Sequence, residues 1–183
     1  MAVVTPKFKF GFVLRDGPNN IQLLSEGSTQ SFNRGDIVKM SSGKVVQFTT
    51  PSNSTKTTTG IETGIIGVAA RDATGTANTL IPVYIITPEQ LWEVHAQPGK
   101  KPSTKATYDE GKNVKLAYKA VTTYTLSNGT TTTTTTVGAW YAQSTAATGG
   151  AGVVIEKYRR GDEGIKGGRM LIRFTSHACA GQY

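Results

Sequence analysis

In Ile37-Val38-Lys39-Met40-Ser41-Ser42-Gly43-Lys44-Val45-Val46-Gln47-Phe48, two short apolar runs flank a small polar turn. That spacing predicts a β-hairpin turning at Ser41-Ser42-Gly43. Toward the C-terminus, residues 51–60 (PSNSTKTTTG) read as a polar loop. Residues 64–70 (GIIGVAA) read as a buried strand with glycines where another backbone approaches, and residues 80–86 as a second apolar strand. Toward the N-terminus, 21–24 is a short strand behind the dense turn signal Asp16-Gly17-Pro18-Asn19-Asn20. Before it, residues 7–14 alternate, with Phe8, Phe10 and Phe12 on one side of a half-buried strand. Thr87-Pro88-Glu89-Gln90 could open a helix, but the following run is short. A turn and then a strand is expected, with Trp92 and Val94 alternating with Glu93 and His95.

Composition points the same way. The chain has 14 Val, 11 Ile and 28 Thr against 8 Leu. β-branched side chains are stiff at χ1 and suit a pleated surface better than a long helix. The expected class is all-β, a β-barrel or β-sandwich with an extended N-terminal segment. At 183 residues and 37% hydrophobic, the chain can bury a core. Residues 97–107 (QPGKKPSTKAT) are Pro/Gly/Lys-rich without apolar period and mark a linker or loop. They separate an N-terminal strand or arm region, 1–34, and a β-module, 35–96, from a second β-module, 108–183, unless all are one continuous domain.

In that second part, 113–118 and 121–126 read as strands and Asn128-Gly129 is a hairpin signal. Thr130 to Thr136, seven consecutive threonines, extend it into a projecting Thr-rich hairpin. Residues 142–152 read as a small-residue loop, and 153–158 and 170–174 as strands joined by a charged, glycine-rich turn. Glu110-Gly111-Lys112-Asn113-Val114-Lys115-Leu116 echoes Arg34-Gly35-Asp36-Ile37-Val38-Lys39-Met40: a glycine, then a short strand carrying Val-Lys-apolar.

Residues suited to catalysis do not gather. His95 and His177 are far apart and in no ligand spacing, and Cys179 lacks both an orienting partner for its neighbour His177 and further metal ligands. The adjacent pairs Asp109-Glu110 and Asp162-Glu163 point to opposite faces of a strand, or to solvent in a turn. The expectation is a protein that is not an enzyme and carries no cofactor or metal. Arg34-Gly35-Asp36 and Arg160-Gly161-Asp162 read as turn chemistry rather than adhesion motifs. The lone cysteine permits no intrachain disulfide and suggests synthesis in a reducing cytoplasm. No signal-peptide pattern and no apolar run long enough to span a membrane is present.

Net charge is +8, of which the 12 basic and 5 acidic residues of 97–183 supply +7. Such a bias suits an acidic partner surface. Tyr108, Tyr118, Tyr124, Tyr141 and Tyr158 interleave with lysines and arginines, as on single-strand-binding β-surfaces, but widely spaced tyrosines suit strand edges and protein interfaces equally. No RNP-type or zinc signature accompanies them, so the sequence argues against nucleic acid as partner.

The order Gly35-Asp36-Ile37-Val38, Ser42-Gly43-Lys44-Val45, Gly64-Ile65-Ile66-Gly67-Val68-Ala69, Ile81-Pro82-Val83-Tyr84, Leu91-Trp92-Glu93-Val94 resembles the small β-barrel proteins that cement or decorate tailed-bacteriophage capsids. The resemblance implies a virion protein on the capsid surface, bound to the major capsid protein and to itself, with a trimer favoured. The alternatives are a tail or head-fibre component, or a single-strand nucleic-acid-binding module. Candidate contact residues are Phe8, Phe10, Phe12, Trp92, Lys100, Lys101, Lys105 and Lys112. Three aromatics on one face cannot stay in water, so the segment 2–14 is expected to pair either across subunits, within the oligomer or onto the capsid lattice, or with its own sheet.

Overall fold

The computed structural model describes residues 11–48, 65–96, 110–127, 132–146, 153–158 and 168–175. They form eleven strands and, among the described residues, no helix: β1 (Val13–Asp16), β2 (Ile21–Ser25), β3 (Ile37–Ser41), β4 (Lys44–Gln47), β5 (Ile65–Ala69), β6 (Leu80–Ile85), β7 (Leu91–Ala96), β8 (Asn113–Ser127), β9 (Thr132–Ala146), β10 (Val153–Tyr158) and β11 (Arg169–Phe174). The expected hairpin is β3–β4, paired from Val38↔Gln47 to Ser41↔Lys44. Ser42 and Gly43 turn it with φ of 48° and 72°, the double left-handed geometry that matches strand twist.

A five-stranded sheet runs β2-β6-β5-β3-β4, and a six-stranded sheet runs β1-β7-β11-β10-β8-β9. The pairing is antiparallel apart from two short contacts. β9 meets β7 in parallel at His95↔Tyr141 and Ala96↔Ala142, and Glu26 makes a single parallel bridge to Val45. The all-β expectation holds: of the two forms expected, barrel or sandwich, the chain takes two packed sheets and not a closed barrel.

Alternation assigns the faces. In β6, Ile81, Val83 and Ile85 enter a small core on one side of the five-stranded sheet with Phe32, Val38 and Val45, while Tyr84 turns to the other side. That other side meets the six-stranded sheet in the main core. There Ile37, Ile65, Val68 and Ile86 pack with Trp92, Val94, Trp140, Met170, Ile172 and Phe174. In β5 a register shift opposite Val38–Lys39 lets Ile65 and Val68 share a face, three positions apart. Gly67 sits where β6 crosses closest: a Cβ there would lie 2.2 Å from the Tyr84 carbonyl oxygen.

Several expectations need correction. Phe12 and Trp92, offered as contact residues, are buried in the main core. Phe12 stacks obliquely on Phe174 at 5.5 Å, and Trp92 meets the same ring edge-on at 6.2 Å. The end of the N-terminal segment therefore does not cross to another subunit: Val13–Asp16 pairs with the chain's own β7. The two strands expected at 113–118 and 121–126 are one, β8, and β9 runs on through 142–146 where a loop was expected. Ala142 is buried and is the register partner of both Leu116 and Ala96, where β9 pairs with β8 and β7. Beyond Lys119↔Ala139 the described rungs of β8 and β9 pair only with each other. Gly35 and Gly111, the glycines of the internal echo, both have left-handed φ, 93° and 79°, at the entry to a strand.

Candidate functional site

On one side of the five-stranded sheet the described part of the six-stranded sheet gives no full cover. On β2 and β6, the pairs Ile21↔Tyr84, Leu23↔Pro82 and Ser25↔Leu80 share the face that elsewhere forms the main core. Tyr84 still packs edge-on against Trp92 at 6.1 Å, but beyond it the cover stops. Ile21, Leu23 and Leu80 keep 45%, 62% and 53% of their surface in water. Together with Pro82 they form an apolar ledge, and scattered single exposures elsewhere carry no such meaning.

β1 is the edge strand of the six-stranded sheet, and among the described residues it pairs with β7 alone. The Phe12 N–H donates to the Gly35 carbonyl at 2.9 Å, away from β7. Groups two apart in an extended strand point the same way, so Leu14 also turns its N–H and C=O away from β7. A half-open cleft of ≈ 460 Å³ lies beside β1, lined by Phe12, Leu14, Val68 and Tyr84, with Arg34, Asp16 and Asn19 among its polar groups. Tyr84 lines this cleft, whereas Ile21, Leu23, Leu80 and Pro82 do not.

Rigid elements hold this surface. Glu26, directly after β2, is buried and accepts from Thr74 N (3.0 Å), Thr74 Oγ1 (2.6 Å) and Gly75 N (2.8 Å), tying the end of β2 to the loop that leads into β6. Burial pushes its carboxyl up, but those hydrogen bonds and the nearby Arg71 outweigh it, and the net shift is downward. Gln90 pins the opposite end: its side-chain amide donates to Pro18 O (2.7 Å) and Ile85 O (3.1 Å) and accepts from Thr87 N (2.9 Å). This is the expected turn before β7. On β1's outward side Arg15 grips Glu93 through two bonds of 3.0 and 3.1 Å, and Arg169 approaches the same carboxylate at 3.7 Å.

Of the contact residues expected from sequence, Phe8, Phe10, Lys100, Lys101 and Lys105 lie outside the described residues, as do His177 and Cys179. Lys112 is exposed, in the turn before β8. Arg34 and Asp36 do not act as a pair: Arg34 is exposed, while Asp36 is buried and accepts from Asn33 N at 2.8 Å. Tyr141 is buried, which raises its phenol's pKa and removes its ring from any stacking surface. Arg173 pairs with Glu156 at 3.0 Å, so the arginines on the outer face of the six-stranded sheet have carboxylate neighbours. Sequence reasoning missed Ile21, Leu23 and Leu80. Ile-Gln-Leu-Leu does not alternate cleanly, and which face goes uncovered depends on the width of the other sheet. Compared with known proteins, the chain matches no family model, no curated protein and no solved structure.

Proposed function

We propose that this chain is a capsid cement protein that binds the outer surface of a tailed-phage head and bridges neighbouring capsomers. The observation that supports this reading is the apolar ledge of Ile21, Leu23, Pro82 and Leu80, exposed among the described residues and of the kind that a protein partner covers. The capsid as setting comes from the resemblance of the glycine and strand order over Gly35–Val94. A rigid two-sheet body would act by contact area. A standard contact buries about 1,600 Å², and many identical contacts on a closed shell add avidity, so a shell under pressure must break them all before it opens. The test is sedimentation with intact shells of the particle. Bound copies should pellet with the shells and raise the temperature at which these release their contents. A chain left in the supernatant at low salt sinks the proposal.

A further inference from the structure

We propose that β2 is a self-association edge: the stretch Ile21-Gln22-Leu23 of two copies pairs antiparallel about a two-fold axis at Gln22 and joins the two five-stranded sheets into one. The proposal goes beyond the cement reading and stands or falls without it.

The register of β2 shows which backbone groups are left over. The Asn20 carbonyl accepts from the Ile85 N–H at 2.8 Å, and the Glu26 N–H donates to the Thr79 carbonyl at 2.8 Å. Groups along the strand alternate, so Gln22 and Leu24 also face β6, while Ile21 and Leu23 turn their N–H and C=O away from it. Pro82, which has no N–H to offer, accordingly stands opposite Leu23. β2 ends the five-stranded sheet. Among the described residues its open side meets β4 at Glu26, where the Gly27 N–H donates to the Val45 carbonyl at 2.9 Å, and the outward groups of Ile21 and Leu23 have no partner. Exposed edges are usually blunted by charge, proline or a bulge. β1 carries Arg15, Asp16 and a register shift, and β4 begins at Lys44. Ile-Gln-Leu-Leu-Ser has no charge, no proline and an unbroken register with β6, so nothing in it discourages a further strand.

The added strand is a second copy of β2 because this stretch complements itself. Centred on Gln22, two antiparallel copies set Ile21 opposite Leu23 of the other copy. Each such pair exchanges N–H···O=C bonds through its outward groups, and the two exposed apolar side chains meet on the ledge face. Gln22 then faces its own counterpart across the axis, at the closer spacing of a non-hydrogen-bonded pair, with Cα atoms about 4.5 Å apart. Its exposed side-chain amide both donates and accepts, so two of them satisfy each other. Two chains of net charge +8 repel, and along this uncharged stretch they meet without like charges in contact. The pairing uses the edge of β2 and leaves Leu80 and Pro82 open, so the two ledges merge into one strip on the same side of the joined sheet. A two-fold contact of this kind closes with two copies and gives a dimer, not the trimer that the family resemblance favours.

The experiment uses the full chain with Cys179→Ser as background. Gln22→Cys should give a disulfide-linked dimer on mild oxidation, because a residue facing itself across the axis lies within disulfide reach. Ala77→Cys, equally exposed but on the loop before β6, should stay uncrosslinked. In parallel, Leu23→Lys should weaken dimerisation about tenfold or more in sedimentation velocity, with the melting curve at high dilution unchanged. The proposal is overturned if the parent chain is monomeric or trimeric at high concentration, or if crosslinking does not follow Gln22→Cys alone. It is equally overturned if Leu23→Lys associates as the parent does. Dimers that ignore capsid shells would refute the cement reading and leave the edge pairing standing; monomers that bind shells would do the reverse.

Discussion

Asp36 shows what burial does to one residue. Removal from water, against the help of Asn33 and with Asp72 adding like-charge repulsion, pushes its carboxyl up to about 6, above the 3.8 of an unperturbed aspartate. Folding therefore favours the protonated form. The stability it contributes is complete below about pH 3.8, declines as pH rises, and is lost above about 6. Asp36→Asn keeps the group neutral. It should match the parent near pH 4 and be more stable at pH 7–8, by up to roughly 3 kcal/mol at about 1.4 kcal/mol per pH unit. Thermal melting of both proteins across that range checks this; a gap that does not widen with pH refutes it. Gly67→Ala tests the close crossing of β5 and β6. A methyl group 2.2 Å from a backbone oxygen must displace a central strand, so a loss of about 3 kcal/mol or more is expected in denaturant unfolding.

β1 makes the division within the N-terminal segment. Phe12 faces Trp140 and Phe174 and the following residues pair with β7, so residues from Phe12 onward belong to the chain's own core. Removing residues 1–10 should leave the melting temperature within a few degrees of the parent. Removing 1–14 should cost about 3–5 kcal/mol, the usual loss for a buried phenylalanine, besides half of β1. Circular dichroism melts of the two truncations separate these outcomes, and equal melts would show that β1 contributes nothing. β2 is held differently. Its inward side chain Leu24 packs on the small core, while Glu26 locks its end to Thr74 and Gly75. Glu26→Ala would leave those N–H groups without a partner and should cost about 1–3 kcal/mol by urea titration, although no ledge residue is touched.

At the scale of the whole molecule, the proposed attachment would draw on charge as well as shape. Residues 97–183 carry a balance of +7, and Lys112 is exposed. If this half meets an acidic surface, binding to shells should weaken as salt rises, because exposed charges are screened over about 8 Å at physiological ionic strength. An affinity unchanged between low and high salt would assign attachment to apolar contact alone. Micromolar binding of an oligonucleotide would replace the cement reading by the single-strand one. The all-β class, the hairpin at Ser42-Gly43, the strands Ile65–Ala69 and Leu80–Ile85 and the turn before β7 were legible along the chain. Each is local: β-branched alternation, a paired left-handed turn, a glycine at a backbone crossing. That Phe12 and Trp92 face inward, that β8 and β9 run long and unbroken, and that Ile21, Leu23 and Leu80 stay in water became visible with the packing. An alternating pattern says that one face of a strand is apolar, but not whether another sheet is wide enough to cover it. That width follows from pairings between residues as distant as β1 and β7 or β7 and β11, which no window along the chain contains.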